Sequence, residues 1–576
     1  MKDYVRPYIP RIILVVGLIF LSILGSLFLP RLMSRIVDQG VVLGDLATIR
    51  TLGIRMILLS IGSMALMVLA GHFSAQISMS FARDLRRGLF RHTLSLNFEE
   101  FEDYGAPSLL TRTTDDIAQL ERTAVVALRP LVQAPLMFVG ALFMAITTDI
   151  GLSPIILTSA PVLLYIITNI ARRTIPYFRE IRTLLDRINL LFRERLTGIR
   201  VIRAFHKEDY EEERFEKVNG EITQVGKDVN HLLIIMLPVF NLIFNFNMLL
   251  LLWFGAKRVD MGGLAVGSLM AYIQYITQIM FATMMFSMLF AMYPNAQASY
   301  QRVSEVLSTP IPKEGQLREI PQGPLELVFD HVSFCYPGAE RKVLNDISFK
   351  VEAGKKLALI GGTGSGKSTV LKLINRFYDV TEGRILLNGV DIRELDKGVL
   401  RRALGYVPQQ NILFNRSVRD NLALGRTQGA SDDFYWSLLD VAQAQDFIEN
   451  MEEGLSATVA QTGKNFSGGQ KQRLSIARAL AKEPIIYLFD DSFSALDFST
   501  DKALRRELAP RTEDAITIIV AQRVMTVTDA HEILVMENGE IVGRGTHESL
   551  LGTNEIYTEI AESQLGEGAG REVQHA

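Results

Sequence analysis

From Ile12 to Leu29 the chain runs for 18 residues without a charged side chain. A helix buried in a large soluble protein rarely stays uncharged for that length, whereas a helix crossing ~30 Å of hydrocarbon needs roughly 20 such residues. Six apolar runs fall in the first 295 residues, at about 12–29, 53–74, 125–147, 150–171, 231–255 and 267–293. They predict an all-α membrane domain of six spans over residues 1–307.

The connections orient those spans. Runs one and two, three and four, and five and six are joined by short loops, while the other two connections hold roughly 50 charged, helix-compatible residues each. Both long connections therefore lie on one side. Arg172, Arg173, Arg179, Arg182, Arg187, Arg193 and Arg195 crowd one of them, against Lys257 and Arg258 between runs five and six, which places the long connections and the N-terminus in the cytoplasm. Apolar residues recur there at helical spacing, so the membrane helices are expected to extend into water and turn back. At the turning points, Phe101 to Gly105 and Ala204 to Tyr210 mix aromatics with charge. Such strings suit either a short helix docking into a groove or a solvated hairpin tip.

Composition narrows the remaining choices. One cysteine, Cys335, in 576 residues leaves no intramolecular disulfide and suits a reducing cytosol for the soluble part. A net charge of −3 indicates no nucleic-acid partner. The first apolar run has no small-residue cleavage pattern after it, so no cleavable signal is expected.

Between 308 and 324, Pro310, Pro312, Gly315, Pro321, Gly323 and Pro324 mark a linker. Residues 325–563 then read as an α/β domain. Lys356 to Ile360 is a strand leading into Gly361, Gly362, Thr363, Gly364, Ser365, Gly366, Lys367 and Ser368, with Thr369 continuing into a helix. Strand, glycine loop and helix in that order form a phosphate-binding loop: backbone N–H groups cradle the β- and γ-phosphates, Lys367 adds charge, and the Ser368 hydroxyl suits Mg²⁺. Ile485 to Asp490 reads as a buried strand that delivers the Asp490 carboxylate to the same ion.

Phe466, Ser467, Gly468, Gly469, Gln470, Lys471, Gln472 and Arg473 resemble the signature motif of ATP-binding cassette proteins, and nearly the whole chain resembles an ABC exporter half-transporter. The resemblance implies an α/β P-loop ATPase domain with a helical subdomain, with ATP and Mg²⁺ as ligands. It assigns Tyr336 to stacking on adenine, Gln409 to a loop that reaches Mg²⁺, Asp497 to a loop at a dimer interface, and Phe101, Tyr104, Phe205 and Tyr210 to coupling helices. In this family two nucleotide domains close head to tail, so Ser467 to Gln470 serve the partner's ATP.

Two positions depart from the family pattern. Asp491 stands in place of the catalytic glutamate and Gln522 in place of the switch histidine. Removing one methylene withdraws a carboxylate by about 1.5 Å, and misplacement near 1 Å costs on the order of 100-fold in rate. An amide cannot carry the positive charge a histidine can. The pair implies a site that binds ATP and hydrolyses it weakly, in one subunit of a bacterial heterodimeric exporter whose partner supplies both the glutamate and the histidine. Gln461-Thr462-Gly463 departs as well, from the acidic and basic pair that precedes the signature in the family.

Substrate readings rest on amides and methionines in the last two spans: Asn241, Asn245, Gln274, Gln278, Met280, Met284 and Met288. Methionine surfaces adapt to varied apolar ligands and intramembrane amides often mark a cavity, although both also serve helix packing. The expected cargo is a small apolar or amphipathic compound of the multidrug type, exported across the plasma membrane by alternating access. A lipid or peptide translocator of the same fold, or a nucleotide-gated regulatory subunit, are the alternatives. The polar stretch 564–576 reads as a disordered tail.

Overall fold

Apolar runs become helices here because in hydrocarbon each backbone N–H and C=O must bond within its own segment. The computed structural model describes residues 1–311, 315–426 and 429–565. It divides into two units, one of Met1–Leu94 with Ala106–Thr309, the other of Ser95–Gly105 with the described residues from Pro310 onward.

Among the described residues of the first unit, four stretches are long and apolar enough to cross a membrane: Asp3–Val41, Leu46–Ser95, Ala106–Thr148 and Pro238–Asp260. The runs at 150–171 and 267–293 lie in helices Ser153–Ala204 and Val266–Ser308, some of whose side chains are outside the described ones. Along Leu46–Ser95 the exposed face carries Ile57, Leu58, Ile61, Met64 and Val68, spaced as one helical face. The opposite surfaces interlock closely. Ser22 Oγ donates to Ser63 O at 2.8 Å, and a Cβ on Gly25 would stand 2.0 Å from Ser63 Oγ, so a small residue sets that approach.

One run is not continuous. The expected span 125–147 is split into Ile117–Leu128 and Pro130–Thr148 at Arg129, φ −117° and ψ −77°, because Pro130 has no N–H to continue the helical ladder and its ring crowds the preceding turn. Nearby, a π-helical turn at Arg112–Asp116 turns the buried Asp116 toward helix Val266–Ser308, where Ser299 Oγ (2.9 Å) and Arg302 Nε (2.8 Å) donate to it. The two long helices Ser153–Ala204 and Glu208–Asp260 bury Leu184, Leu191, Val218 and Val225 between them. They meet in a tight turn at Phe205–Lys207, with His206 at φ 51°.

Among the described residues the second unit holds two sheets. A four-stranded sheet in the order β2-β1-β4-β5 consists of β1 (Glu326–Phe334), β2 (Leu344–Glu352), β4 (Glu382–Leu387) and β5 (Val390–Asp391). A six-stranded sheet runs β10-β9-β3-β8-β7-β6, formed by β3 (Lys356–Gly361), β6 (Leu404–Val407), β7 (Ile486–Asp490), β8 (Ile516–Val520), β9 (Glu532–Glu537) and β10 (Glu540–Gly545). Its strands are parallel apart from the edge hairpin β9–β10. β7 and β8 are buried at every residue, as their largely apolar sequences favour, with Asp490 and Thr517 the polar members.

Both ends of the expected linker and tail need adjustment. Residues 312–314 of the linker are outside the described ones, but Leu317 already pairs with the second unit, donating to Glu394 O (3.1 Å) and accepting from Asp396 N (2.9 Å). At the other end Gln564 and Leu565 are not tail but the close of helix Glu555–Leu565, because the Gln564 amide finds backbone partners; residues 566–576 are outside the described ones.

Candidate active site

The glycine loop leaves the C-terminal end of β3, between β8 and β9, so a ligand there sits at the edge of a parallel sheet. Gly361 (φ 154°) and Gly366 (φ 99°) have no tolerable side chain: a Cβ would come within 2.0 Å of Met536 O at the first and 2.6 Å of Leu344 Cδ2 at the second. Gly362, Thr363 and Gly364 are exposed, whereas Ser365 is buried. Helix Lys367–Ile374 starts directly after Gly366.

Lys367 reaches back into the loop. Its Nζ donates to Gly361 O (2.9 Å), Gly362 O (2.7 Å) and Ser365 Oγ (3.1 Å), and burial holds its pKa below the usual lysine value against the opposing pull of Asp491 and Asp490. Neutral oxygens are weak partners for an ammonium. The arrangement therefore presents a buried cation to whatever anion enters the loop.

At the end of β7, Asp490 Oδ1 accepts from Ser368 Oγ at 2.7 Å, and Tyr406 OH stands 3.4 Å from Oδ2. Burial raises the Asp490 pKa, and these hydrogen bonds and the Lys372 and Lys367 charges pull it back. Two hard oxygens on adjoining elements, one from a buried carboxylate, fit a small divalent cation. Ser368 and Asp490 would hold Mg²⁺, which when bound supplies positive charge beside the phosphates.

The next residue, Asp491, adopts φ 49°, a left-handed conformation that short polar side chains tolerate. Its backbone is fixed by bonds from Asp491 N to Val520 O (2.9 Å), from Ser494 Oγ to Asp491 O (2.9 Å) and from Gln472 Nε2 to the same oxygen (3.3 Å). Its carboxylate Oδ2 accepts from Gln522 Nε2 at 3.0 Å. Burial raises the Asp491 pKa, Asp490 adds to the rise, and hydrogen bonds from Ser494 and Gln409 oppose it.

Tyr336 is brought to the same place, its hydroxyl 3.2 Å from Thr369 Oγ1 and its ring edge-on to Phe334 and Tyr378. Lys372 Nζ lies 5.5 Å over that ring. Asp497 caps helix Phe498–Leu508, accepting from Thr500 N (2.9 Å), and its hydrogen bonds with Ser499 and Thr500 hold its carboxyl far below the usual range. The signature residues open helix Gly468–Leu480: Ser467 Oγ accepts from Gln470 N (3.3 Å) while Ser467 N donates to Gln470 Oε1 (2.8 Å). Ser467 and Gly468 are exposed, and space around a Gly468 Cβ is open.

The turning-point residues divide. Helix Phe98–Tyr104 packs within the second unit: Phe98 stacks on Phe377 (5.4 Å), Glu102 accepts from the Tyr378 hydroxyl, and Lys397 donates to Asn97 Oδ1, with Phe101 and Tyr104 half-buried on the same helix. Phe205 and Tyr210 are 72% and 62% exposed in the other unit. Sequence reading also missed Lys372, Tyr406 and Gln564; Lys372, three residues past Thr369 on the same helix, and Tyr406, three before Gln409, carried the only signals.

Two family models match in series. The ABC transporter transmembrane region covers residues 12–284, and the ABC transporter domain covers residues 344–494. An uncharacterized ABC transporter ATP-binding protein of Mycobacterium tuberculosis is 40% identical over 575 residues, covering 98% of this chain and 97% of the relative. The chain belongs to the ABC transporter family. It is a half-transporter, with an N-terminal membrane domain fused to an ABC ATPase domain. The ATP-dependent lipid A-core flippase of Yersinia pestis is 28% identical over 563 residues, covering 98% of the half-transporter and 97% of the flippase. A bacterial Atm1-family ABC exporter solved with ATP bound superposes with a TM-score of 0.81 at 25% identity, over 99% of the half-transporter and 100% of that chain. The half-transporter thus has the fold of an ATP-driven membrane exporter. Its ATPase domain implies ATP binding, usually with Mg²⁺, and half-transporters of this kind act as dimers in a membrane.

Proposed function

We propose that this half-transporter is the weakly hydrolysing subunit of a heterodimeric bacterial exporter, and that its own site holds ATP while its signature residues complete the partner's hydrolytic site. The supporting observation is the 3.0 Å bond from Gln522 Nε2 to Asp491 Oδ2. The two departures from the family pattern touch, so they alter one hydrogen-bonded unit rather than two scattered positions. That unit offers an amide donor and a shortened carboxylate in place of a titratable base and a longer one. Phosphoryl transfer depends on placing such groups around the γ-phosphate, so the exchange favours holding over turnover. Ser467 to Gln470, by contrast, keep the family's residues and an exposed helix start.

In this reading the arginine-rich connection keeps the ATPase domain in the cytoplasm of a plasma-membrane protein. The cargo is apolar or amphipathic. Asn241, Asn245, Gln274 and Met284 are exposed on the membrane unit, and Gln278 reaches toward Ser26 O at 3.5 Å. Met280 is withdrawn from the set because it is buried against its own helix bundle; the Met288 side chain is outside the described ones. A lipid-like cargo is the second reading, favoured by the likeness to the lipid A-core flippase.

ATP turnover by the purified pair tests the asymmetry. Asp491→Asn should lower the rate by less than about threefold, while neutralising the partner's glutamate should lower it by more than 100-fold, the scale of a misplaced catalytic group. Equal losses, or full turnover by this chain alone, overturn the proposal.

A further inference from the structure

The C-terminal helix grips the loop that carries Gln522. From the last turn of Glu555–Leu565, Gln564 Nε2 donates to Gln522 O at 2.7 Å, and Gln564 Oε1 accepts from Val524 N at 2.9 Å. One side-chain amide thus bonds both flanks of the three-residue segment Gln522–Val524. These backbone groups lie past the end of β8, at Val520, where no ladder partner is supplied by the sheet. Arg523, between them, is directed elsewhere, with Nη1 donating to Leu496 O at 3.4 Å. Farther along the loop Val524 and Val527 are fully buried, so the segment is anchored below while its first residue stays exposed.

We propose that Gln564 is a positioning residue for the nucleotide site, fixing the Gln522 backbone so that the Gln522 amide reaches Asp491. The chain of bonds runs from Gln564 to the Gln522 carbonyl, and from the Gln522 side chain to the Asp491 carboxylate, over 2.7 and 3.0 Å. An exposed side chain on an unsupported loop spends its time among rotamers. A clamp on its backbone removes the coarser part of that freedom before any ligand arrives. This inference rests on the reading that Gln522 and Asp491 face the γ-phosphate.

The test is photolabelling of the full-length pair with 8-azido-ATP, scored on this chain's own band so that the partner's site does not contribute. Gln564→Ala should raise the half-saturating concentration about threefold to tenfold, the worth of one or two amide hydrogen bonds. Gln564→Glu keeps an acceptor for Val524 N and loses the donor to Gln522 O, so it should show most of the same change. In a Gln522→Ala background the effect of Gln564→Ala should vanish, because a positioning residue acts only through the side chain it positions. A shift of equal size in that background indicates a merely structural role and overturns the proposal, as does no shift in the native background. If Gln522→Ala alone leaves labelling unchanged, it is the underlying reading of the site that fails.

Discussion

Gln522 Nε2 donates to Asp491 Oδ2 across 3.0 Å, making the amide and the carboxylate a single unit. Restoring the family's residues should therefore be cooperative. With the partner's glutamate neutralised, so that only this chain's site can turn over, Asp491→Glu with Gln522→His should raise ATPase activity by more than the product of the single changes. Residues in direct contact commonly couple by roughly 0.5–3 kcal/mol. Strictly multiplicative effects would show that the two positions work independently.

Lys367 spends three donors on loop oxygens and is buried. Lys367→Met should abolish photolabelling of this chain by 8-azido-ATP and leave the partner's band labelled. Retained labelling at native nucleotide concentration would remove Lys367 from the binding site.

The loop glycines should separate by geometry. Gly361→Ala places a Cβ within 2.0 Å of Met536 O and should prevent recovery of folded transporter, whereas Gly364, with open space around it, should accept alanine at the cost of its φ of 83° alone. Backbone strain of that kind is worth on the order of 1–2 kcal/mol. Folded yield and melting temperature decide between them.

Phe98→Ala removes the ring stacked on Phe377 without touching the glycine loop. If helix Phe98–Tyr104 couples the two activities, basal ATP turnover should persist while substrate-stimulated turnover falls by roughly the tenfold that a lost aromatic contact of up to ~1.5 kcal/mol allows. Unchanged stimulation in proteoliposomes would count against coupling through this helix.

His531 supplies a pH dependence. Its Nδ1 accepts from Lys356 N at 3.0 Å, and burial together with the Lys355 and Lys356 charges lowers its pKa from 6.5. The folded state binds this proton less readily than the unfolded one, so the stabilisation is present above pH 6.5 and is lost as pH falls below it. Melting of the native protein should drop between pH 7.5 and 5.5, and His531→Asn should flatten that part of the curve. An equal slope in the variant would assign the dependence to other groups.

Much of this was legible from residues alone where a single physical demand selects the side chain. Hydrocarbon excludes charge, so Ile12 to Leu29 declared a helix; close backbone approach excludes a Cβ, so Gly361 and Gly366 declared the loop. Where two demands share one residue type, the sequence was silent. Methionines four apart suit a cavity or a packed core, and only the fold put Met280 in the core. Aromatic and acidic residues at 98–104 announced a docking string but not which ring docks, because Phe377 and Tyr378 lie more than 270 residues away. Gln564 resembled solvated tail because its partners are backbone atoms, which no side-chain pattern reveals.

Because Ser95–Gly105 packs with the C-terminal half, the chain passes from one unit to the other three times, at Leu94/Ser95, Gly105/Ala106 and Thr309/Pro310. Cutting the obvious hinge near Pro310 would therefore not free an intact ATPase. A fragment starting there would leave behind the seven-residue helix that carries Phe98 and Glu102, baring the faces of Phe377 and Tyr378 that this helix covers. Enzymology on such a fragment would measure a domain with a wound.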